Sequence, residues 1–287
     1  MIGDVFMFWR GIIPTLVISL LLSGCAAVRP ASAPADDGYT RLPIIMYHHI
    51  TKKPSLVNNY TVLLDTFEND LKYIKEKGYN TITVSQLIAH EETGTALPEN
   101  PIMITFDDGF ESVYAYAYPL LQKYEMTAVL SVVGEYIDRY TENPDHRLQY
   151  SCCDWNEIRE LDESGVIEIQ NHTYNLHSMD KGRRGCSKKQ GESPEEYVKL
   201  LKGDLSLMQQ KLIEKIGRPA DAIAYPFGSR CDLTDQTVKE MGFKAALTCD
   251  EKTNLIGSSE DYLFKLGRFN RKGSYSTKEY FEKLGVN

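Results

Sequence analysis

The chain has 287 residues, of which 25% are charged and 42% hydrophobic, an ordinary balance for a folded globular protein. This length suits one large α/β domain or two small ones. The formal net charge is −8. The sequence contains no basic stripe of the kind that binds nucleic acid, so nucleic acid is not an expected partner.

The N-terminus has the pattern of a secretory signal. An apolar run from Ile12 to Leu22 follows Arg10 and is too short to span a bilayer comfortably. The run ends in Leu22-Ser23-Gly24-Cys25, which resembles the lipobox of bacterial lipoproteins. That resemblance implies a signal peptide over residues 1–24, a lipid on the Cys25 sulfur and an extracytoplasmic, membrane-anchored protein. The alternative is a plain signal peptide, and Met7 is a second candidate start.

Residues 25–38 hold the predicted lipidated cysteine and a tether rich in Ala, Pro and Asp, so the folded domain is expected over residues 39–287. Five cysteines remain in it, and their spacing matches no zinc-site pattern. Outside the cytoplasm, disulfides can form. Cys186 is a candidate partner for Cys152 or Cys153, although the sequence alone does not determine connectivity.

Strand and helix patterns alternate along the domain. The predicted strands are 41–48, 79–84, 101–106, 126–133, 166–170, 222–225, 243–248 and 263–269. The predicted helices are 66–77, 85–92 with Ser85 as N-cap, 112–124 with a break at Pro119, 154–164, 193–216, 234–241 and 277–284. Residues 134–153 and 171–193 are predicted to be loops.

This alternation predicts an α/β fold with a parallel sheet, open or closed into a barrel. No glycine-rich phosphate fingerprint follows any strand, so a nucleotide-binding sheet is not expected. A deformed (β/α) barrel of about seven or eight parallel strands fits better. Its functional residues are expected at the carboxyl ends of the strands.

Two adjacent carboxylates follow a short apolar strand. Residues 101–110 read PIMITFDDGF, so Asp107 and Asp108 follow a strand with the pattern of one buried on both faces. Two neighbouring buried charges are costly unless a cation or a proton compensates them. A solvated Asp-Gly turn is the alternative interpretation of these residues.

A second polar segment, QNHTYNLH over residues 170–177, follows a later strand. Its histidines, His172 and His177, are five positions apart and converge only if the chain turns between them. Exposed histidines in a polar loop are the alternative. One carboxylate and two imidazoles suit a divalent metal that keeps an open position for water.

The segments TFDDG and HTYNLH, with YPFG at residues 225–228, resemble the polysaccharide deacetylase family, also known as the NodB homology domain or carbohydrate esterase family 4. The resemblance implies that Asp107 is the general base and that Asp108, His172 and His177 bind a divalent metal. The metal implied is usually Zn²⁺, with Co²⁺, Ni²⁺ or Mn²⁺ as alternatives. The implied oxyanion donor is the backbone N–H of Phe227, and the implied substrate is an acetylated aminosugar glycan.

Three departures from the commonest family pattern resemble its poly-N-acetylglucosamine deacetylase subfamily. The two histidines are five apart rather than four, the usual arginine before the YPFG segment is missing, and no histidine follows His177. The resemblance implies that His48, in the pair Tyr47-His48, is the acid. It also implies that Arg268 replaces the missing arginine beside Asp107.

The sequence therefore predicts a metal-dependent N-deacetylase of a cell-surface polysaccharide: poly-N-acetylglucosamine, peptidoglycan or a chitin-like polymer. Two alternatives belong to other classes. One is a catalytically inactive, lipid-anchored glycan-binding protein, and the other is an O-acetyl esterase or amidase of the same fold.

Overall fold

The structure is a computed structural model that describes residues 39–286, which form one compact unit. The predicted signal peptide, Cys25 and the tether lie outside the described residues. The helices are α1 Leu64–Glu76, α2 Val84–Thr93, α3 Tyr118–Tyr124, α4 Gly134–Glu142, α5 Trp155–Glu163, α6 Pro194–Ile216, α7 Asp232–Glu240 and α8 Thr277–Leu284. The strands are β1 Arg41–Leu42, β2 Ile44–Tyr47, β3 His49–Thr51, β4 Thr61–Leu63, β5 Asn80–Thr81, β6 Pro101–Phe106, β7 Ala128–Val132, β8 Ile167–Asn171, β9 Ala222–Ala224, β10 Ala245–Leu247, β11 Asn254–Leu255 and β12 Phe269–Asn270.

Eight strands form one parallel sheet, in the order β10-β9-β8-β7-β6-β2-β12, with β5 also paired to β6. The sheet curls into a half-barrel surrounded by helices. Leu266 bridges to Leu247 on β10, and three residues later Phe269 pairs with Ile45 on β2. One short segment therefore contacts strands from both ends of the sheet. The predicted α/β fold with seven or eight parallel strands is confirmed.

The central strands are buried on both faces because alternate side chains enter two different apolar clusters. On β6, Ile102, Ile104 and Phe106 pack into the cluster beneath the helices, while Met103 enters the second cluster with residues such as Val129. Every residue of β6 is buried. The continuous apolar run in the sequence is the direct consequence of this two-sided burial.

Several predicted boundaries are wrong. The strand predicted over 41–48 is split at Pro43, which has no N–H to donate. The strand predicted over 79–84 is only Asn80–Thr81, and the N-cap of α2 is Thr83, whose side chain accepts from Gln86 N. The short strands β3, β4 and β11 were not predicted.

Two further predictions need correction. Residues 134–142 were predicted as loop but form α4, which buries Gly134 and Ile137; its first backbone N–H groups donate to the carbonyls of Thr173 and Tyr174. This tertiary contact has no local sequence signal. The strand predicted over 263–269 is mostly a 3₁₀ turn, Tyr262–Lys265, and extended pairing is confined to Leu266 and β12.

The cysteines of the described region carry free thiols, so the suggested pairing of Cys186 with Cys152 or Cys153 is wrong for this structure. Cys152, Cys153 and Cys186 are nonetheless buried. Among residues 39–286, no helix is both long enough and apolar enough to cross a membrane.

Candidate active site

The sequence-predicted residues meet at the carboxyl ends of neighbouring strands. Asp107 and Asp108 follow β6, His172 follows β8 and His48 follows β2. Because β2, β6, β7 and β8 are adjacent and parallel, their carboxyl ends open on the same edge of the sheet. The polar side chains are therefore brought together by topology, although they are up to 124 positions apart in sequence (His48 to His172).

Asp107 is held by Arg268, and both side chains are buried. The guanidinium donates two parallel hydrogen bonds, from Nη1 to Oδ1 at 2.7 Å and from Nη2 to Oδ2 at 2.8 Å. Arg268 is oriented in turn by Thr248, whose carbonyl accepts from Nε at 3.0 Å. Burial alone would raise the pKa of Asp107, but Arg268 and then His172 outweigh it and lower the pKa below its ordinary value. Asp107 is therefore an ionised, oriented carboxylate.

Asp108 is aimed by an unusual backbone conformation. Its φ is 74°, in the left-handed region that non-glycine residues seldom occupy. The carboxylate points toward both imidazoles, with Oδ1 at 3.5 Å from His172 Nε2 and 3.1 Å from His177 Nε2. Oδ1 is buried and makes no well-formed hydrogen bond in the described part of the protein. Burial raises the pKa of Asp108, but the two histidines lower it well below the ordinary value.

His172 is fixed by a bond on the side away from Asp108. Its Nδ1 donates to the carbonyl of Ala224, on β9, at 2.7 Å, which leaves Nε2 directed at Asp108. A histidine whose second nitrogen donates to a carbonyl is the usual arrangement of a metal ligand. Burial lowers the pKa of His172, but Asp107 and Asp108 raise it more.

His177 completes the group from the loop after β8. Its ring lies 5.1 Å from that of His172 and 4.5 Å from that of Phe227. Tyr136 contributes a contact that the sequence did not predict: its hydroxyl lies 3.3 Å from His177 Nδ1. No local pattern marks Tyr136, because α4 itself was predicted as loop.

His48 is half-buried beside the two aspartates, and its ring lies 5.0 Å from that of Tyr60. Its Nδ1 is buried without a hydrogen-bond partner in residues 39–286. Burial lowers the pKa of His48, and this effect exceeds the raising effects of Asp108 and Asp107. The neighbouring carboxylates were expected to favour the cationic form, and burial outweighs them.

Phe227 lies in the turn Pro226–Gly228 with φ 59°. This left-handed conformation is strained for a residue with a bulky side chain. It places the aromatic ring against His177. The guanidinium carbon of Arg184 lies over the Phe227 ring, 5.8 Å from its centre. The predicted oxyanion donor therefore belongs to a segment that contacts the imidazole group.

The three ligand atoms of Asp108, His172 and His177 lie within 4.8 Å of one another. The buried, unbonded oxygen of Asp108 and the two Nε2 atoms directed toward it are the donor set that a divalent transition metal prefers. These residues therefore fit such an ion. The ligand atoms of a second group are equally close to one another; its members are Glu111, His146 and Glu157. In this group His146 Nδ1 lies 2.8 Å from Glu111 Oε1, so these two side chains already interact with each other.

The remaining histidines have structural environments. His49 is buried and its Nδ1 lies 2.8 Å from Ser112 Oγ. His90 is half-buried near the end of α2, and its Nδ1 donates to the carbonyl of Thr95 at 2.8 Å. His146 is exposed. Trp155 packs in the core, and its Nε1 donates to Asp138 at 2.7 Å.

Comparisons with known proteins agree with this geometry. The sequence profile of the family described as polysaccharide deacetylase matches residues 94–246, more than half of the chain. A curated poly-beta-1,6-N-acetyl-D-glucosamine N-deacetylase of Staphylococcus aureus is 26% identical over 207 residues, covering 72% of this chain and 67% of that protein.

Two solved structures have the same fold. A Streptococcus pyogenes deacetylase in complex with acetate superposes with a TM-score of 0.69 at 23% identity, covering 86% of this chain and 99% of that one. A de-N-acetylase from Aggregatibacter actinomycetemcomitans gives 0.70 at 24% identity, covering 84% and 100%. With the family profile matched over more than half of its length, the chain belongs to the polysaccharide deacetylase family.

Proposed function

We propose that this protein is a metal-dependent hydrolase that removes N-acetyl groups from a polymer of N-acetylglucosamine. The observation that carries the proposal is the convergence of Asp108, His172 and His177 beside the arginine-bound carboxylate of Asp107. The similarity to the Staphylococcus aureus enzyme favours poly-beta-1,6-N-acetylglucosamine among the candidate polymers.

In this proposal, Asp108, His172 and His177 hold the ion, most often Zn²⁺ in such a donor set. When bound, the ion supplies a positive charge that polarises the acetyl carbonyl and acidifies water. The ligand set comes from two strand ends, which keeps its carboxylate and imidazoles in place before substrate arrives.

Asp107 acts as the general base. Its two oxygens accept from Arg268, so the carboxylate stays ionised and in one orientation. It removes a proton from the attacking water as the C–O bond to the acetyl carbon forms. The backbone N–H of Phe227 is the proposed donor to the oxygen on which negative charge develops.

His48 is the proposed acid that supplies a proton to the departing amine as the C–N bond breaks. The products are then acetate and a free aminosugar. Because burial lowers the pKa of His48, its protonated form is a minority near neutral pH. We therefore expect His48 protonation to limit the rate more strongly as the pH rises.

Acetate release from a glycan panel tests this function. The purified protein should release acetate from β-1,6-linked N-acetylglucosamine oligomers, with little release from acetylated xylan or simple amides, and a chelator should abolish the activity. Asp107→Asn should remove turnover while sparing metal binding. Greater release from acetylated xylan would favour the esterase alternative, and no release from any acetylated compound would favour the glycan-binding alternative.

The location is part of the same proposal and is supported by the N-terminal sequence alone. A lipid on Cys25 would hold the enzyme at the outer face of the cell membrane, next to an extracellular polymer. Fractionation of cells that express the full chain tests this. The wild type should sediment with membranes and Cys25→Ala should not; equal distribution of the two would refute the anchor.

A further inference from the structure

The segment between the two histidines follows an irregular path. We define residues 173–176 as the histidine turn. Thr173 has φ 73°, in the left-handed region, and its N–H donates to the side chain of Asn171 at 2.7 Å. Further on, Leu176 N donates to Thr173 Oγ1 at 3.2 Å. The direction in which the chain leaves this turn determines where His177 lies.

A carboxylate outside the histidine turn accepts hydrogen bonds from the backbone in the middle of that turn. Asp204, on the long helix α6, accepts from Tyr174 N through Oδ1 and from Asn175 N through Oδ2, each at 2.8 Å. Among the side chains that the structure describes, no Lys, Arg or His forms an ion pair with Asp204. Both of its oxygens are therefore committed to the backbone of the histidine turn.

Asp204 lies on a long helix that packs against several other elements. Helix α6 has 23 residues and packs against both β8 and α5. His172 directly follows strand β8. Helix α6 therefore contacts both the strand that leads to His172 and, through Asp204, the turn that leads to His177. Tyr136 and Phe227 contact the His177 ring directly. Asp204 instead binds the backbone up to Asn175, two residues before His177.

We propose that Asp204 is a positioning residue for the metal ligand His177. By accepting two consecutive backbone N–H groups, it fixes the turn so that His177 Nε2 lies beside Asp108 despite the five-residue spacing from His172. Without this anchor, His177 would have several orientations, and binding of an ion would have to select one of them. The inference rests on the metal site of the proposed function.

The affinity of the full-length protein for Zn²⁺, measured by competition with a chromogenic chelator, tests the proposal without any substrate. Asp204→Ala should weaken affinity by roughly 10- to 100-fold, the range seen for residues that orient metal ligands. Asp204→Asn keeps one oxygen acceptor and the side-chain volume, so its loss should be smaller. It also serves as the test if the alanine variant fails to fold.

Gln209 offers a matched control on the same helix. Its side chain also makes two bonds to backbone, donating to Ala220 O and accepting from Ala220 N, both at 2.8 Å, but Ala220 is remote in sequence from the histidine turn. Gln209→Ala should lower the melting temperature without changing Zn²⁺ affinity. An equal loss of affinity in both variants would show general destabilisation and overturn the proposal.

A double-mutant cycle identifies the ligand involved. In a His177→Ala background, the added Asp204→Ala change should produce little further loss, because the ligand that it positions is gone. A full additional loss would overturn the assignment to His177. If wild type binds Zn²⁺ tightly and Asp204→Ala binds it with the same affinity, the positioning role of Asp204 is refuted but the metal site is not. Wild type that binds no Zn²⁺ would refute the metal site and this inference together.

Discussion

Among individual residues, Asp107 and Arg268 form a buried ion pair within the proposed site. Both side chains are almost fully buried, so each charge depends on the other for compensation. The two parallel hydrogen bonds also fix the plane of the carboxylate, which a single ammonium group could not do. The pair therefore maintains both the charge and the orientation of the proposed base.

Arg268→Lys should keep the positive charge but lose the paired geometry. We expect kcat for acetate release to fall roughly 100-fold, as misplacement of a catalytic group by about 1 Å can do. Arg271 gives the control, because it is equally buried and forms two bonds with Asp70, on α1. Arg271→Lys should lower the melting temperature and leave kcat near wild type at temperatures below unfolding. Similar kcat losses in the two variants would contradict a specific role.

Glu157 is a residue whose titration should affect folding stability. Burial, followed by the charges of Glu111 and Asp154, raises its pKa from 4.5 to about 7, against the lowering effects of the Asp154 N–H and His146. The folded protein therefore binds this proton more tightly than the unfolded chain. Stability from this group is greatest below about pH 4.5 and is lost as the pH rises toward 7.

Glu157→Gln keeps an oxygen that can accept from Asp154 N but removes the titration. Urea unfolding at pH 5 and pH 8 measures the change in free energy of unfolding for each protein. Wild type should lose more stability than the variant between the two pH values. An identical pH dependence would mean that Glu157 has an ordinary pKa.

Among the elements, two loops lie in close contact beside the proposed site. The segment that follows the histidine turn passes directly over the turn Pro226–Gly228. At Gly185, φ is 51°, and an added Cβ would lie 2.4 Å from the carbonyl oxygen of Pro226. Only glycine allows this approach, and the neighbouring Phe227 contacts His177.

Gly185→Ala should therefore push the two loops apart and displace Phe227. We expect a fall in kcat/KM for acetate release of at least 10-fold, with a modest loss of stability. Gly191→Ala is the control, because its φ is 77° but an added Cβ would meet nothing within 4 Å. Gly191→Ala should lose stability from backbone strain alone and keep its activity. Equal activity in the two variants would contradict the importance of the loop contact.

Element prediction succeeded where the signal was local and failed where it was tertiary. Helix α6 was predicted within one residue because Ser193, Pro194 and Glu196 form a strong start and Gly217 ends it. Helix α4 was missed because its first backbone N–H groups donate to carbonyls of the histidine turn, a contact with no local sequence signal. Asp204 was missed for a related reason: nothing in the sequence connects it to residues 29 and 30 positions earlier.

In the whole molecule, the fold explains why distant residues could be grouped from sequence. Alternating strands and helices predict a parallel sheet, and a parallel sheet places strand-end residues on one edge. Asp107, Asp108, His172 and His48 could be assigned to that edge without coordinates. A curled, barrel-like sheet was also predicted, but not the pairings of Leu266 with β10 and of Phe269 with β2, because they join residues far apart in sequence. This curl also brings Arg268 to Asp107.

The metal site itself is tested by the metal content of the purified protein after equilibration with Zn²⁺ and dialysis, measured by atomic emission. Wild type and Asp107→Asn should each retain about one ion per chain, and His172→Ala almost none. A folded His172→Ala protein that retains a full equivalent of zinc would show that His172 is not a metal ligand.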